Sequence, residues 1–304
     1  MTTDHVWRQI KQLLASAEQR VLLITPFIKQ DVFAAALAAI PRRVQEIRCI
    51  TRWSVAEVAA GVSDPEIADL AANDGRASVQ LCHKLHAKLY VADQSCLIGS
   101  ANLTGRATGL ASSPNVELLL ETDTTHPEVR RVLQLLDPAL VPGTVELGRQ
   151  IREQADLFRT DEEAPRLLVA GHDDNQQQSW LPETRNPARL YPVYNGRTRH
   201  IGPDVLAGVL RDLAALDIGP GLNEQAFGTE VLSRLHAIPG LRQLIDAHRI
   251  SMDGLKTEIH RTTNCTEEQA RRSTETIAEW LHYFDEIHVV PVGTWEIRHG
   301  RELS

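Results

Sequence analysis

The chain has 304 residues, of which 42% are hydrophobic and 24% charged, and its formal net charge is −8. These values are typical of a soluble globular protein with room for one large domain or two ordinary ones. The sequence has no apolar run of about 18 residues or more, which excludes a membrane-spanning helix. Its acidic balance argues against a wholly basic DNA-coating protein and still allows a local positive cleft.

The cysteines and the N-terminal stretch both bear on the cellular compartment. The N-terminal "MTTDHVWRQIKQLL" lacks the basic segment and apolar core of a secretory signal. The cysteines are scattered without C-x-x-C pairing, which argues against a zinc ribbon and a disulfide framework and is typical of a reducing cytoplasm. They are Cys49, Cys82, Cys96 and Cys265. We therefore expect a cytoplasmic protein.

Strand-like and helix-like segments alternate in the first half of the chain. "VLLITPFI" (21–28) predicts a buried strand, and the Ala-rich segment after it predicts a helix with Asp31 as its cap. "EIRCITRW" (46–53) predicts a second strand, and the next helix is framed by Pro65 and Gly75. Three strand-like runs and the amphipathic "HPEVRRVLQLLDPAL" follow. This alternation predicts an α/β sandwich around a mixed sheet.

The second half changes character twice. Residues 161–199 are polar and rich in Pro, Asn and Asp, which predicts loops or a connection between domains. Three helical segments and two strand-like pieces then follow, and Thr266 opens a "TEEQ" cap. Helix, turn, helix and hairpin in this order resemble a winged helix-turn-helix domain, in which Arg271 and Arg272 would be the DNA contacts. A helical dimerisation or scaffolding domain is the alternative, since several acids on the last helix weaken a phosphate-facing role.

Polar residues interrupt three consecutive strand-like runs in pairs that are two positions apart. The pairs are His86 and Lys88, Ser100 and Asn102, and Asn115 and Glu117. Because strand side chains alternate between faces, each pair shares one face, and adjacent strands would bring the pairs to one patch. An imidazole, an ammonium, a hydroxyl, amides and a carboxylate together suit a phosphate ester.

Each of these groups has a chemical reason to be there. An imidazole can attack phosphorus or protonate a leaving oxygen, and Lys and Asn can hold the phosphoryl oxygens. Gly99 lets the backbone approach an anion, with Ser100 as a further donor, and Glu117 can fix the tautomer of the histidine. No obvious carboxylate cluster for Mg²⁺ accompanies the set, so we expect no metal and no cofactor.

The spacing of these residues resembles the HKD signature of the phospholipase D superfamily. The match reads His86-x-Lys88, four residues, Asp93, five residues, Gly99-Ser100-x-Asn102. The usual signature has one more residue between the Asp and the Gly. "HAKLYV", "GSANLT" and the later "NVE" are most similar to single-motif bacterial nucleases, including metal-independent restriction endonucleases. The resemblance covers Val21 to Leu135.

The resemblance implies a domain order and a fold. Residues 1–160 would form a phospholipase D-like catalytic domain with one HKD motif, a mixed-sheet α/β sandwich. Residues 161–220 would connect it to a mainly helical, winged-helix-like domain at 221–304. A catalytic domain followed by a DNA-binding domain also occurs among those restriction enzymes.

The resemblance also implies roles for the residues. His86 would be the nucleophile, Lys88 and Asn102 the phosphate clamp, Ser100 and Gly99 further phosphate-binding groups, and Glu117 would orient the histidine. Asp93 is left open between closing the turn and a direct chemical role.

The family chemistry uses two histidines, and the sequence has no second H-x-K followed by a glycine-serine element. A C2 homodimer with the two His86 side chains facing each other across the axis would supply the second one.

The leading prediction is a metal-independent phosphodiesterase that hydrolyses nucleic acid, above all DNA, through a phosphohistidine. Bacterial restriction or phage defence, with partner proteins of such a system, follows from the resemblance alone. The alternatives are a phospholipid phosphodiesterase, and a DNA-binding regulatory or assembly subunit that keeps the HKD fold with little turnover.

Overall fold

The computed structural model describes residues 4–160, 180–238, 241, 249–263, 265–284, 287–290 and 296–299. Two compact units divide the chain: Met1–Thr160 with Gly219–Gly221, and Asp161–Ile218 with Leu222–Ser304. The first is α/β and the second, where described, is mainly helical, so the predicted fold class is confirmed. The three domain boundaries given above stay a prediction.

Residues 4–160 contain one mixed seven-stranded sheet with the order β6-β5-β4-β1-β2-β3-β7. Its strands are β1 Arg20–Ile24, β2 Glu46–Thr51, β3 Ala77–Leu81, β4 Leu89–Ala92, β5 Ser95–Gly99, β6 Leu119–Asp123 and β7 Val141–Pro142. The β1–β2 and β2–β3 pairs are parallel, and β4 pairs antiparallel with both β1 and β5. The β5–β6 and β3–β7 pairs are antiparallel too.

Helices cover both faces of this sheet. They are α1 His5–Ala15, α2 Gln30–Ala39, α3 Val55–Ala59, α4 Ile67–Asp74, α5 Gly105–Thr108, α6 Pro127–Leu136 and α7 Val145–Thr160. Leu23 and Tyr90 pack in one core cluster with residues of α1 and α2, and Leu89 and Val91 pack in another with Val129 of α6. Burial on both faces explains why these strands read as continuous apolar runs.

One predicted cap is wrong and one helix end is confirmed. Helix α2 begins at Gln30, so Asp31 lies inside its first turn and does not cap it. The backbone N–H of Gln30 instead donates to Asp64 Oδ2 at 2.8 Å, a contact from a distant loop. Gly75 ends α4 with a φ of 74°, the left-handed conformation that glycine adopts without strain.

Two of the predicted strands begin later than expected. Strand β4 starts at Leu89, so the segment 86–88 precedes it, and β6 starts at Leu119, after Glu117. Leu89 pairs with Ile24, the last residue of β1, so the neighbouring strand ends where β4 begins. The polar pairs therefore do not come together through the alternation of side chains along a strand. They come together because the segments that carry them meet at the same edge of the sheet.

The second unit combines helices with a small antiparallel sheet. Its helices are α8 Leu190–Tyr194, α9 Pro203–Leu216, α10 Glu224–His236, α11 Met252–Thr263 and α12 Glu267–Phe284. Strands β8 Arg249–Ser251, β9 Ile287–Val290 and β10 Glu296–His299 pair in the order β8-β10-β9. The predicted order of helix, helix and hairpin is thus present at the C-terminus.

The predicted cap at Thr266 is confirmed. The backbone N–H of Gln269 donates to Thr266 Oγ1 at 3.2 Å, and the backbone N–H of Thr266 donates to Gln269 Oε1 at 2.8 Å. These reciprocal bonds form a capping box at the start of α12.

Part of the predicted connection is helical, since α8 and α9 lie within residues 180–220. Residues 161–179 of that connection lie outside the described residues. No helix among the described residues has the length and apolar character needed to cross a bilayer.

Candidate active site

Four chain segments meet at one edge of the seven-stranded sheet. Leu89 at the start of β4 pairs with Ile24 at the end of β1 and with Ile98 near the end of β5. Gly99, the last residue of β5, pairs with Leu119 at the start of β6. The polar residues just beyond these strand ends are therefore neighbours at this edge.

Ser100 and Glu117 are in direct contact. The Ser100 hydroxyl donates a short hydrogen bond to Glu117 Oε2 and accepts one from the backbone N–H of Leu118 at 3.1 Å. The Asn115 side-chain amide donates to the other oxygen, Glu117 Oε1, at 3.1 Å. The Ser100 hydroxyl thus donates its proton to the Glu117 carboxylate and helps to hold that carboxylate in place. The predicted contact from Glu117 to a histidine stays a prediction.

Asn102 is held by a residue that the sequence analysis missed. Thr25, which follows β1 and is fully buried, donates from Oγ1 to Asn102 Oδ1 at 2.9 Å. This bond leaves the two amide protons of Asn102 for another acceptor. Beside it, the buried Tyr90 hydroxyl donates to the Ala101 carbonyl at 2.8 Å, and burial raises the pKa of this phenol. The only sequence signal for Thr25 is a polar residue at the end of an apolar strand.

His86 and Lys88 lie just before β4. The His86 side chain is exposed, whereas Lys88 is half-buried and donates from Nζ to the His86 carbonyl at 2.8 Å. Burial lowers the pKa of Lys88 and the charge of Arg52 lowers it further, while the Glu117 carboxylate acts in the opposite direction. Lys88 is therefore electrostatically coupled to Arg52 and Glu117.

Arg52 follows β2 at the same edge and, like Thr25, was not predicted from the sequence. Its Nη1 donates to the Leu85 carbonyl at 3.2 Å, and its Nη2 forms a short ion pair with Glu57. Its guanidinium lies over the Phe27 ring, 5.2 Å from the centroid. A single arginine within a strand-like run carries no sequence signal of its own.

Gly99 has a steric reason that differs from the predicted one. A Cβ at this position would lie 1.8 Å from the Leu118 carbonyl oxygen. The close backbone approach that requires glycine is therefore the one to the neighbouring segment, at the position where that segment leads into β6.

Asp93 lies at the opposite end of β4, about 16 Å along the chain from Lys88 at the usual strand rise. It closes the β4–β5 turn with a φ of 55°. Its carboxylate accepts the backbone N–H groups of Glu18 at 2.8 Å, Gln19 at 2.9 Å and Arg20 at 3.0 Å. Desolvation raises the pKa of Asp93, but these hydrogen bonds outweigh it and lower the pKa overall. These contacts favour the interpretation that Asp93 closes the turn and has a structural role.

The remaining predicted contacts lie in the second unit. Arg271 bonds to Glu268 at 2.9 Å and to Glu275 at 2.5 Å, and Arg272 bonds to the same Glu268 at 3.0 Å. The two arginines are thus already paired with acids on α12. In the described residues no group of three or more His, Cys, Asp or Glu side chains has metal-binding geometry.

One edge of the mixed sheet thus carries a histidine, a lysine and an asparagine from segments that are distant in the sequence. A family profile described as "Cardiolipin synthase, PLD-like domain" matches residues 10–136. Residues 10–136 are therefore a PLD-like domain, as the motif spacing predicted.

Solved structures give likenesses at low identity. NucT from Helicobacter pylori is 18% identical with a TM-score of 0.33, over 46% of this chain and 92% of that one. The phospholipase D family member Nuc from Salmonella typhimurium is 17% identical with a TM-score of 0.32, over 44% and 85%. Phosphatidylserine synthase from Haemophilus influenzae is 14% identical with a TM-score of 0.40, over 53% and 42%. A search of curated proteins found no match.

Proposed function

We propose that the chain is a metal-independent phosphodiesterase that hydrolyses nucleic acid, above all DNA, through a phosphohistidine at His86. The observation that carries the proposal is the gathering of His86, Lys88, Asn102 and Glu117 at one sheet edge. A restriction or phage-defence setting, with partner proteins of such a system, rests on the resemblance alone.

In the first chemical step, a neutral His86 ring nitrogen attacks phosphorus. The phosphorus–oxygen bond to the leaving group breaks, and the leaving oxygen takes a proton from a second histidine. Lys88 and the free amide protons of Asn102 stabilise the charge on the non-bridging oxygens. In the second step, water gives a proton back to the second histidine and attacks the phosphohistidine, which releases His86 and the phosphate monoester.

The second histidine is proposed to come from a second copy of the chain. In this homodimer the two copies of His86 face each other across a two-fold axis, so that one site serves both subunits.

An apolar strip beside the candidate site supports this homodimer. Val116, Leu118 and Leu120 are 102%, 59% and 55% exposed. The first two flank Glu117 in the segment before the edge strand β6, and Leu120 lies in that strand. A solvated edge strand normally carries polar side chains there. The strip is thus an exposed apolar surface that adjoins the residues which one copy of the chain would supply to the shared site.

The strip can be tested with a matched control. We expect Leu118→Asp combined with Leu120→Asp to give monomers in analytical ultracentrifugation and to lose turnover with His86 intact. Leu135→Asp is the control, since Leu135 is 61% exposed on α6 and lies outside the strip. A fully active, strictly monomeric double variant would contradict the shared site.

The second unit is proposed to bind nucleic acid as a winged helix-turn-helix, with Arg271 and Arg272 on phosphates. Glu268 pairs with both arginines, and Arg271 also pairs with Glu275, so Glu268→Gln should release Arg272, leave Arg271 with one acidic partner, and tighten DNA binding several-fold. Replacing both arginines with Ala should weaken binding and reduce the salt dependence by about one phosphate contact per arginine. Unchanged affinity in both variants would support the alternative, a dimerisation or scaffolding role.

The family description names a phospholipid enzyme, which makes phospholipid hydrolysis or transfer the second candidate. Wild type and His86→Ala are to be incubated with plasmid, single-stranded DNA, RNA, bis(p-nitrophenyl) phosphate and phosphatidylcholine vesicles, each in excess EDTA. Nucleic acid cleavage that persists in EDTA and is lost in the variant supports the nuclease. Cleavage of the lipid alone supports the second candidate, and DNA binding without hydrolysis supports a regulatory subunit.

A further inference from the structure

Arg52 connects two segments of the candidate site that are far apart in the sequence. Its Nη1 binds the carbonyl of Leu85, the residue before His86. Its guanidinium stacks over Phe27, whose own carbonyl accepts the backbone N–H of Leu103, the residue after Asn102, at 3.2 Å. One planar group therefore contacts both the segment that leads into His86 and the segment that runs beside Asn102.

Helix α3 holds the partner of Arg52 in place. Ser54 caps this helix, and its hydroxyl accepts the backbone N–H of Glu57 at 3.2 Å. The Glu57 carboxylate then pairs with Arg52, and the two side chains are only 15% and 22% exposed. The ion pair with Glu57 on α3 thus fixes the position of the Arg52 guanidinium.

We propose that Arg52 is a positioning residue of the candidate site, which keeps the backbone before His86 aligned with the backbone beside Asn102. The proposal rests on the proposed function for its activity readout.

A second arginine of the same sheet shows what a purely structural role looks like. Arg76 precedes β3, at the opposite edge, and binds both Asp74 oxygens and the carbonyls of Pro41 and Val44. All three of its nitrogens have partners. Arg52 instead keeps a buried Nε that has no hydrogen-bond partner within the described part of the chain, so the fold does not use its whole fork.

The charge of Arg52 gives the proposal a signature that loss of stability would not produce. The charged groups that act on the Lys88 ammonium are Arg52 from the end of β2 and Glu117 from the segment before β6, and its Nζ also contacts the His86 carbonyl. The positive charge of Arg52 lowers the pKa of Lys88, so removing that charge should raise it.

The test compares Arg52→Met, Arg52→Lys and the control Arg76→Met. We expect Arg52→Met to lower kcat on bis(p-nitrophenyl) phosphate by tenfold to a hundredfold, because small misplacement of reacting groups has effects of that size. The alkaline limb of its profile of kcat against pH should move to higher pH, because the pKa of Lys88 rises when the Arg52 charge is removed. Arg52→Lys keeps the charge but not the fork or the stacking, so it should lower kcat and leave the alkaline limb in place. Arg76→Met should lower the melting temperature and change neither kcat nor the limb.

The Lys88 pKa, measured by NMR of the labelled lysine, separates this proposal from the proposed function. If wild type turns over no phosphodiester, a higher Lys88 pKa in Arg52→Met together with faster amide exchange at residues 85–88 still supports the positioning role. A wild-type kcat in Arg52→Met, or an unchanged Lys88 pKa with unchanged amide exchange, would overturn it. Should Arg52→Met fail to fold, Arg52→Lys alone decides by its kcat and amide exchange.

Discussion

Removal of the Asp93 carboxylate should destabilise the protein without altering its chemistry. Asp93 supplies the D of the HKD signature, yet its carboxylate accepts three backbone N–H groups where the chain enters β1 and lies at the far end of β4 from Lys88. We therefore predict that Asp93→Ala lowers the free energy of unfolding and leaves kcat per folded molecule within a factor of about two, the limit set by roughly 0.4 kcal/mol.

The size of the effect follows from the contacts. Three hydrogen bonds with a net value of about 0.5–1.5 kcal/mol each give about 2–4 kcal/mol, and the lower half applies because the carboxylate is only half-buried. An alanine at a φ of 55° adds about 1 kcal/mol of backbone strain. The total for Asp93→Ala is therefore about 3 kcal/mol. Asp93→Asn keeps one oxygen acceptor and tolerates this φ, so about 1 kcal/mol is expected.

The pH dependence has a defined sign. The pKa of Asp93 is lower in the folded protein than in the unfolded chain, so its contribution is fully present above the unfolded value near 4 and is lost as the pH falls through the folded value. The difference in unfolding free energy between wild type and Asp93→Asn should shrink below about pH 4.

Thermal unfolding and amide exchange at β1 measure this effect, and turnover of a model phosphodiester measures the chemistry. For a unit of this size, about 3 kcal/mol corresponds to a decrease of about 6–12 °C in the melting temperature. A more than tenfold loss of kcat in Asp93→Asn at unchanged stability would refute the structural reading and assign Asp93 a direct chemical role.

Three further predictions concern single side chains. Gly99→Ala should destabilise the protein by about 1–3 kcal/mol, because its Cβ would collide with the Leu118 carbonyl, and a wild-type melting temperature would contradict this. Thr25→Val should lower kcat about tenfold, since Asn102 loses the hydrogen bond that orients it; an unchanged kcat would show that Asn102 needs no such support. Burial raises the pKa of Asp212, on α9, to about 6. Its contribution to the free energy of unfolding is therefore fully present below the pKa that it has in the unfolded chain, near 4, and is lost as the pH rises through about 6. Melting temperatures of wild type and Asp212→Asn between pH 4 and pH 7 should therefore differ in slope, and parallel curves would contradict the shift.

Much of the local structure was predictable from the residues themselves. The apolar runs gave β1 and β2, Gly75 marked the end of α4, and the "TEEQ" pattern marked the start of α12. These features depend on neighbours within a few residues, where propensity and capping act directly. The motif spacing was equally informative, because it led to the phospholipase D superfamily and the α/β class.

Other features depended on tertiary contacts and were predicted wrongly or not at all. The cap of α2 comes from Asp64 rather than from Asp31. The segments around His86 and Glu117 precede their strands, because β4 begins where its neighbour β1 ends and β6 begins opposite the last residue of β5. Period-two alternation therefore grouped residues that do lie at one edge of the sheet, but it did so through a geometry that the structure does not have.

The sequence by itself determined which chemical groups the site contains: an imidazole, an ammonium, an amide and a carboxylate at HKD spacing. Only the tertiary structure decided which side chains hold them, with Thr25 on Asn102 and Arg52 on the segment before His86. The physical reason is that such contacts join residues 33 to 77 positions apart. They depend on the register between neighbouring strands, and register is a property of the assembled sheet rather than of any one strand.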